Sequence, residues 1–70
     1  MGIIDNLEAM LAQGRDSPLL RFSLGQAHHK EGRHVAAIEH LRAAVTQDPG
    51  YSAAWKLLGR ALADADQPEE

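Results

Sequence analysis

Apolar residues recur along this 70-residue chain at the three- and four-residue spacing of helices that are buried on one side. The first such segment, residues 3–13, places its apolar residues on one face: Ile3, Ile4, Leu7, Met10 and Leu11. Gly14 follows as a candidate left-handed cap, so we predict that the first helix ends there. No segment shows the two-residue alternation of a strand, and Asn-Gly and Asp-Gly hairpin turns are absent. The pattern therefore predicts an all-α fold.

Two short breaks mark the second and third helices. Ser17 can accept a hydrogen bond from a free amide of the next turn, and Pro18 suits the first helical position, so we predict a helix over 18–31. The dipeptide Gly32-Arg33 then interrupts the apolar pattern. Because this break is short, we expect the third helix, 34–47, to fold back antiparallel to the second.

The last helix follows Asp48-Pro49-Gly50, where proline and glycine favour a turn. We predict this helix over 52–64, with these apolar residues: Ala54, Trp55, Leu58, Ala61 and Leu62. The acidic segment 65–70 contains Pro68 and is expected to fray. The chain is thus predicted to form one domain of four helices, residues 1–64.

The second and fourth helices contain related sequences. Trp55-Lys-Leu-Leu-Gly59 repeats the pattern of Arg21-Phe-Ser-Leu-Gly25, and the two glycines are 34 positions apart (59 − 25 = 34). Glycine inside a helix costs about 1 kcal/mol relative to alanine, and a helix keeps it where another backbone lies close. We therefore expect Gly25 and Gly59 each to pack against the helix that follows it. A single hairpin cannot bury all its apolar faces, so such hairpins stack.

These residues resemble the tetratricopeptide repeat (TPR), a helix–turn–helix unit with the same period. The resemblance is carried by Leu24-Gly25, Ala37, Leu41 and Pro49 in one copy, and by Trp55, Leu58 and Gly59 in the next. It departs at Arg21, His28 and Leu41, where the family prefers Trp, Tyr and an aromatic residue. The chain resembles small stand-alone bacterial members. The resemblance implies antiparallel helical hairpins of a right-handed solenoid, with a half-repeat at 3–14, a full repeat at 18–49 and a half-repeat at 52–64.

The resemblance also implies a function. TPR proteins bind peptides or protein surfaces on a concave face lined by the first helix of each hairpin, so we expect a protein-interaction scaffold without catalysis. The residues expected on that face are Leu19, Phe22, Gln26 and His29 from the second helix, with Ala53, Lys56 and Arg60 from the fourth. The alternative is a self-associating assembly module, a homo-oligomer formed through residues 52–64. Its contacts would come from apolar residues with no following helix to cover them: Trp55, Leu58 and Leu62.

Charge and composition narrow the class of protein. A net charge of −3 argues against nucleic acid and anionic membranes as partners. There is no cysteine, which excludes a disulfide framework, a thiolate metal site and a cysteine nucleophile. No apolar run has a membrane-spanning length, and the first residues lack the basic and apolar parts of a signal peptide. We therefore expect a soluble cytoplasmic protein.

Four histidines are the remaining candidates for chemistry: His28, His29, His34 and His40. No two of them are four residues apart, so no pair has the spacing that places two zinc ligands on one helical face. There is no H-E-x-x-H motif, no glycine-rich phosphate loop and no pair of catalytic carboxylates. We predict no metal site, no cofactor and no enzymatic activity.

Overall fold

The computed structural model describes residues 2–65, and within them the chain forms four helices. They are α1 (Ile3–Ala12), α2 (Pro18–Lys30), α3 (His34–Gln47) and α4 (Ser52–Ala65). Every helix end lies within one residue of its predicted position. No strand occurs in this part of the chain, so the all-α prediction is confirmed. Ala65, the first residue of the predicted frayed tail, is helical, and residues 66–70 lie outside the described residues.

Local signals in the sequence account for these helix ends. The Ser17 hydroxyl accepts a hydrogen bond from the Leu20 amide at 3.1 Å, with Pro18 in the first helical position. Gly14 and Gly32 have φ angles of 86° and 77°, in the left-handed region that ends a helix. After Gly32, the Arg33 amide donates to the His28 carbonyl at 2.9 Å, which satisfies a free acceptor at the end of α2. Contacts between residues close in sequence therefore determine where these helices begin and end.

The core lies where α2, α3 and α4 meet. α2 is the central helix, in contact with α1, α3 and α4, and α3 also packs against α4. The buried residues of α3 and α4 form one cluster: Ala37, Leu41, Ala44, Val45, Ala54, Leu58 and Ala61. The alanines in this cluster allow the helices to approach closely. Leu24 of α2 and Leu41 of α3 are fully buried, and each such leucine contributes about 1.5–3 kcal/mol.

The two repeated glycines lie in different surroundings. A Cβ atom placed on Gly25 would lie 2.5 Å from the Leu41 Cγ and 3.3 Å from the Ala37 carbonyl oxygen. The expectation that α3 packs against Gly25 is therefore confirmed. A Cβ atom placed on Gly59 would have no neighbour within 4 Å among residues 2–65. For Gly59 the expectation is wrong within the described chain, because no described helix lies against that side of α4.

The predicted self-association set also needs a correction. Leu58 is 6% exposed and belongs to the core cluster, because it lies on the side of α4 that packs against α3. It therefore offers no surface to a second molecule. Trp55 and Leu62 are 50% and 38% exposed, as the prediction requires of them. None of the described helices has the length and apolar character needed to cross a bilayer.

Candidate functional site

A shallow groove between α2 and α4 brings together most of the residues that the sequence placed on a concave face. Its cavity of about 250 Å³ is lined by Phe22, Gln26, Ala53, Lys56, Leu57 and Arg60. We call it the α2–α4 groove. Residues four apart share one face of a helix, which aligns Phe22 with Gln26 on α2 and Lys56 with Arg60 on α4. The groove forms because α4 packs beside α2.

The α2–α4 groove offers an aromatic surface beside two cations. Phe22 is half-buried, and its ring centroid lies 5.2 Å from that of Tyr51. Lys56 and Arg60 are exposed, and neither has a carboxylate within 4.0 Å in the described part of the chain. Their side chains are therefore available to a ligand. The sequence analysis did not include Tyr51, which precedes α4 and packs against Phe22.

Two residues predicted for the concave face lie outside this cavity. Leu19 is 66% exposed and lines a different groove, on the side of α2 that faces α1. His29 points to the end of α4, where its Nε2 lies 2.8 Å from the Asp64 Oδ2. Its ring also meets the edge of the His34 ring, with centroids 5.7 Å apart. The groove thus contains Phe22 and Gln26 of the four residues predicted from α2.

The groove between α1 and α2 was not predicted. It consists of two adjoining cavities of about 420 and 280 Å³ that share Leu7 and Ser23. Its apolar lining residues are Ile3, Leu7, Met10, Leu19, Leu20 and Ala27, and its charged lining residues are Arg15, Asp16, Lys30 and Glu31. We call it the α1–α2 groove. Its sequence signal was present in the apolar residues of α1, of which Ile3 and Met10 remain exposed.

A network of polar side chains joins α2, α3 and the segment between α1 and α2. The Arg21 Nη1 donates to the His40 Nδ1 at 3.1 Å, and the Arg21 Nε donates to the Asp16 Oδ1 at 2.8 Å. Hydrogen bonds from Arg21 and Gln47 lower the pKa of Asp16 from 3.8 to about 2. Burial, and then the charge of Arg21, lower the pKa of His40 below its usual 6.5.

The histidines meet acidic residues from other helices, in two sets that could be considered for a metal. The donor atoms of Glu8, His28 and His40 lie within 4.8 Å of one another. A guanidinium can only donate, so Arg21 occupies the Nδ1 lone pair of His40. Neutral His40 therefore carries its proton on Nε2, which lies 3.9 Å from the Glu8 Oε2 and is not free to bind a metal. This set is arranged as a hydrogen-bond network.

The second set contains His29, His34 and Asp64, with donor atoms again within 4.8 Å. His29 is already paired with Asp64, while the buried Nδ1 of His34 has no hydrogen-bond partner within residues 2–65. Sequence spacing missed both sets because their members come from different helices. The absence of a metal site stays a prediction.

The tetratricopeptide repeat family model matches residues 28–70, which is more than half of the chain. The chain is also similar to a TPR repeat-containing protein of Pseudomonas aeruginosa, with 54% identity over 59 residues. The matched part covers 84% of this chain and 56% of the relative, so the chain spans about half the length of that relative. No solved structure gives a significant match.

Proposed function

This chain belongs to the tetratricopeptide repeat family, and we propose that it binds a peptide segment of a partner protein in the α2–α4 groove. The observation that supports the proposal most is the position of Lys56 and Arg60 beside Phe22 in one concave cavity. A peptide that places a carboxylate near the cations and an apolar side chain on the ring fits this chemistry. The partner is thus expected to present an acidic and apolar segment.

The cost of this arrangement supports a binding role for the cations. Like charges four residues apart on a helix are destabilising by roughly 0.2–0.5 kcal/mol. Within residues 2–65 no carboxylate oxygen lies within 4.0 Å of Lys56 or Arg60 to relieve this repulsion at close range. A ligand carboxylate would do so, and it would also gain charge-assisted hydrogen bonds. The aromatic ring is held by Tyr51, so little of its freedom is lost on binding.

We assign the chain no chemistry of its own. His28, His29 and His40 are engaged with acidic or cationic side chains at contacts between helices. The α2–α4 groove holds no histidine and no acidic residue among its lining residues, so it lacks a general base. A cytoplasmic location, expected from the sequence, stays a prediction.

The experiment is a peptide selection followed by a charge reversal. Random dodecapeptides on phage are selected on the parent chain, and the recovered peptides are measured by fluorescence polarisation. We expect acidic and apolar residues to be enriched among them. The double variant Lys56→Glu/Arg60→Glu should bind them at least about tenfold more weakly, a loss of about 1.4 kcal/mol.

The matched control is Arg33→Glu/Arg42→Glu, which changes the net charge by the same amount at two exposed residues outside the groove. It should bind the selected peptides as the parent does. Equal binding by the Lys56→Glu/Arg60→Glu variant, or an equal loss in the control, would show that the α2–α4 groove is not the binding site.

A further inference from the structure

α4 has a side that nothing in the described chain covers. This free face of α4 consists of Trp55, Gly59 and Leu62. Thirty-four positions earlier, the same face of α2 carries Arg21, Gly25 and His28, and α3 packs against it. On α2 this surface receives α3, and the repeat places the equivalent surface on α4.

The α1–α2 groove carries the complementary surface of the same 34-residue repeat. Ile3, Leu7 and Met10 of α1 stand 34 positions before Ala37, Leu41 and Ala44 of α3. In α3, Ala37 and Leu41 are the residues that lie against Gly25. α1 thus carries the residues with which a helix of this type contacts the glycine of its hairpin partner, but within residues 2–65 it has no such partner.

Exposed apolar side chains concentrate at these two ends. Among residues 2–65, six large hydrophobic residues are exposed. Three of them line the α1–α2 groove: Ile3, Met10 and Leu19. Two more, Trp55 and Leu62, lie on the free face of α4, and Val35 is the remaining one. Large apolar patches on a small protein commonly mark interaction surfaces.

We propose that copies of this 70-residue chain stack head to tail, with α4 of one copy seated in the α1–α2 groove of the next. The α4 of the first copy and the α1 of the second then form a complete helical hairpin across the contact. Gly59 receives Ile3 and Leu7 of the second copy, as Gly25 receives Ala37 and Leu41 within one chain. A single contact of this kind covers both the free face of α4 and the α1–α2 groove.

Charge is compatible with this contact. α1 carries Asp5 and Glu8 and no lysine or arginine, which gives it a charge of −2. α4 carries Lys56 and Arg60 against Asp64, which gives it +1 (2 − 1 = 1). The net charges of α1 and α4 are thus opposite, and the 34-residue register, which matches α4 to α1 rather than to itself, favours this pairing over the symmetric contact through residues 52–64 that the sequence analysis considered.

Because this contact joins two different surfaces, a pair of copies still has one free surface of each kind and can bind further copies. Each added copy presents a new free face of α4, so the assembly grows as an open chain or closes as a ring. Gln26 lines both the α1–α2 groove and the proposed peptide site, but the cations of the α2–α4 groove lie on another face of α4 from this contact. Failure of one proposal therefore leaves the other standing.

The first experiment follows molecular mass against concentration by sedimentation velocity. For the parent chain we expect the mass to rise beyond that of a dimer. Gly59→Ala should weaken association at least tenfold, because its Cβ would meet the Leu7 of the next copy. Within one copy this Cβ has open space among the described residues, so the variant should fold. Ile3→Asp should also weaken association at least tenfold.

The matched control is Val35→Asp, which changes a residue 69% exposed near the start of a helix, much as Ile3 is 66% exposed. It should associate as the parent does. A parent chain that stays monomeric to millimolar concentration overturns the proposal. An equal weakening by Val35→Asp also overturns it.

A second experiment tests which surfaces meet. The sequence has no cysteine, so introduced thiols give unambiguous cross-links. Asn6 and Leu62 are the counterparts of His40 and His28, whose rings stack with centroids 5.4 Å apart. A mixture of Asn6→Cys and Leu62→Cys chains should be joined by a short bismaleimide, whereas neither variant alone should be. Cross-linking of Leu62→Cys to itself, or no cross-link in the mixture, contradicts the head-to-tail contact.

Discussion

Replacing each repeated glycine by alanine should change stability in opposite directions. At Gly25 the new Cβ would lie 2.5 Å from the Leu41 Cγ and 2.7 Å from its Cδ2. Leu41 is fully buried, so it cannot move without disturbing the core. Overpacking of this kind costs about 1–3 kcal/mol. Alanine also gains about 1 kcal/mol over glycine as a helix former, so Gly25→Ala should destabilise the fold by up to about 2 kcal/mol.

Gly59→Ala is the matched partner for this measurement. It gains the same helix propensity, but its Cβ has no neighbour within 4 Å in the described chain. A dilute sample should therefore be stabilised by about 1 kcal/mol. Because the propensity gain is common to both variants, the difference between their free energies of unfolding isolates the clash, about 1–3 kcal/mol.

Urea denaturation followed by circular dichroism at low concentration measures both free energies. In thermal unfolding the same difference corresponds to about 4–8 °C in Tm for each kcal/mol. If both alanine variants gain stability equally, the close packing of α2 against Leu41 is refuted.

Three further predictions concern titration and metal binding. The pKa of His40 is lowered on folding, so the unfolded state takes up protons first as the pH falls below 6.5, and stability should fall there. Denaturation at several pH values should show that His40→Gln reduces this loss; an unchanged loss contradicts it. The pKa of Asp16 is also lowered on folding, so its contribution should be complete above pH 3.8 and disappear as the pH falls to about 2. Acid titration of Asp16→Asn should lack that part of the transition, and an identical titration would refute the role of its bonds to Arg21 and Gln47. Zinc should leave the Tm and the histidine NMR signals unchanged, and a shift of the His29 and His34 signals would reveal a metal site.

The helices could be predicted from the sequence because their ends are determined locally. Ser17 and Pro18 start α2 by satisfying or removing amides within the same turn. Gly14 and Gly32 end α1 and α2 by adopting positive φ angles. Each of these effects depends on residues at most a few positions apart. On α4 the apolar spacing identifies Ala54, Leu58 and Ala61, which are buried, but it also includes Trp55 and Leu62, which are exposed.

The contacts between helices could be predicted only where the repeat supplied a model for them. The resemblance to the TPR family placed Phe22 and Gln26 on the same surface as Lys56 and Arg60, and the structure joins them in one groove. It gave no warning that His29 pairs with Asp64, which lies 35 residues away. That contact depends on the rotation of α4 against α2, which spacing within a single helix does not determine.

Leu58 and Gly59 show why the exposed side of α4 was assigned only in part. The two residues are adjacent, so they point about 100° apart around the helix. Leu58 packs against α3, while Gly59 faces away from every described helix. On α2 the equivalent pair, Leu24 and Gly25, is buried throughout. The repeated sequence therefore encodes a helix surrounded by neighbours, whether or not the chain provides all of them.

This difference makes Gly59 an indicator of what covers α4. If nothing ever packed there, alanine would be the better residue by about 1 kcal/mol, and glycine would have no structural reason in the fold. If a helix carrying residues such as Ile3 and Leu7 does pack there, alanine must weaken that contact while it strengthens the single chain. Gly59→Ala should then raise the stability of the single chain and weaken the association between copies. Only a packed neighbour at Gly59 produces that pair of results.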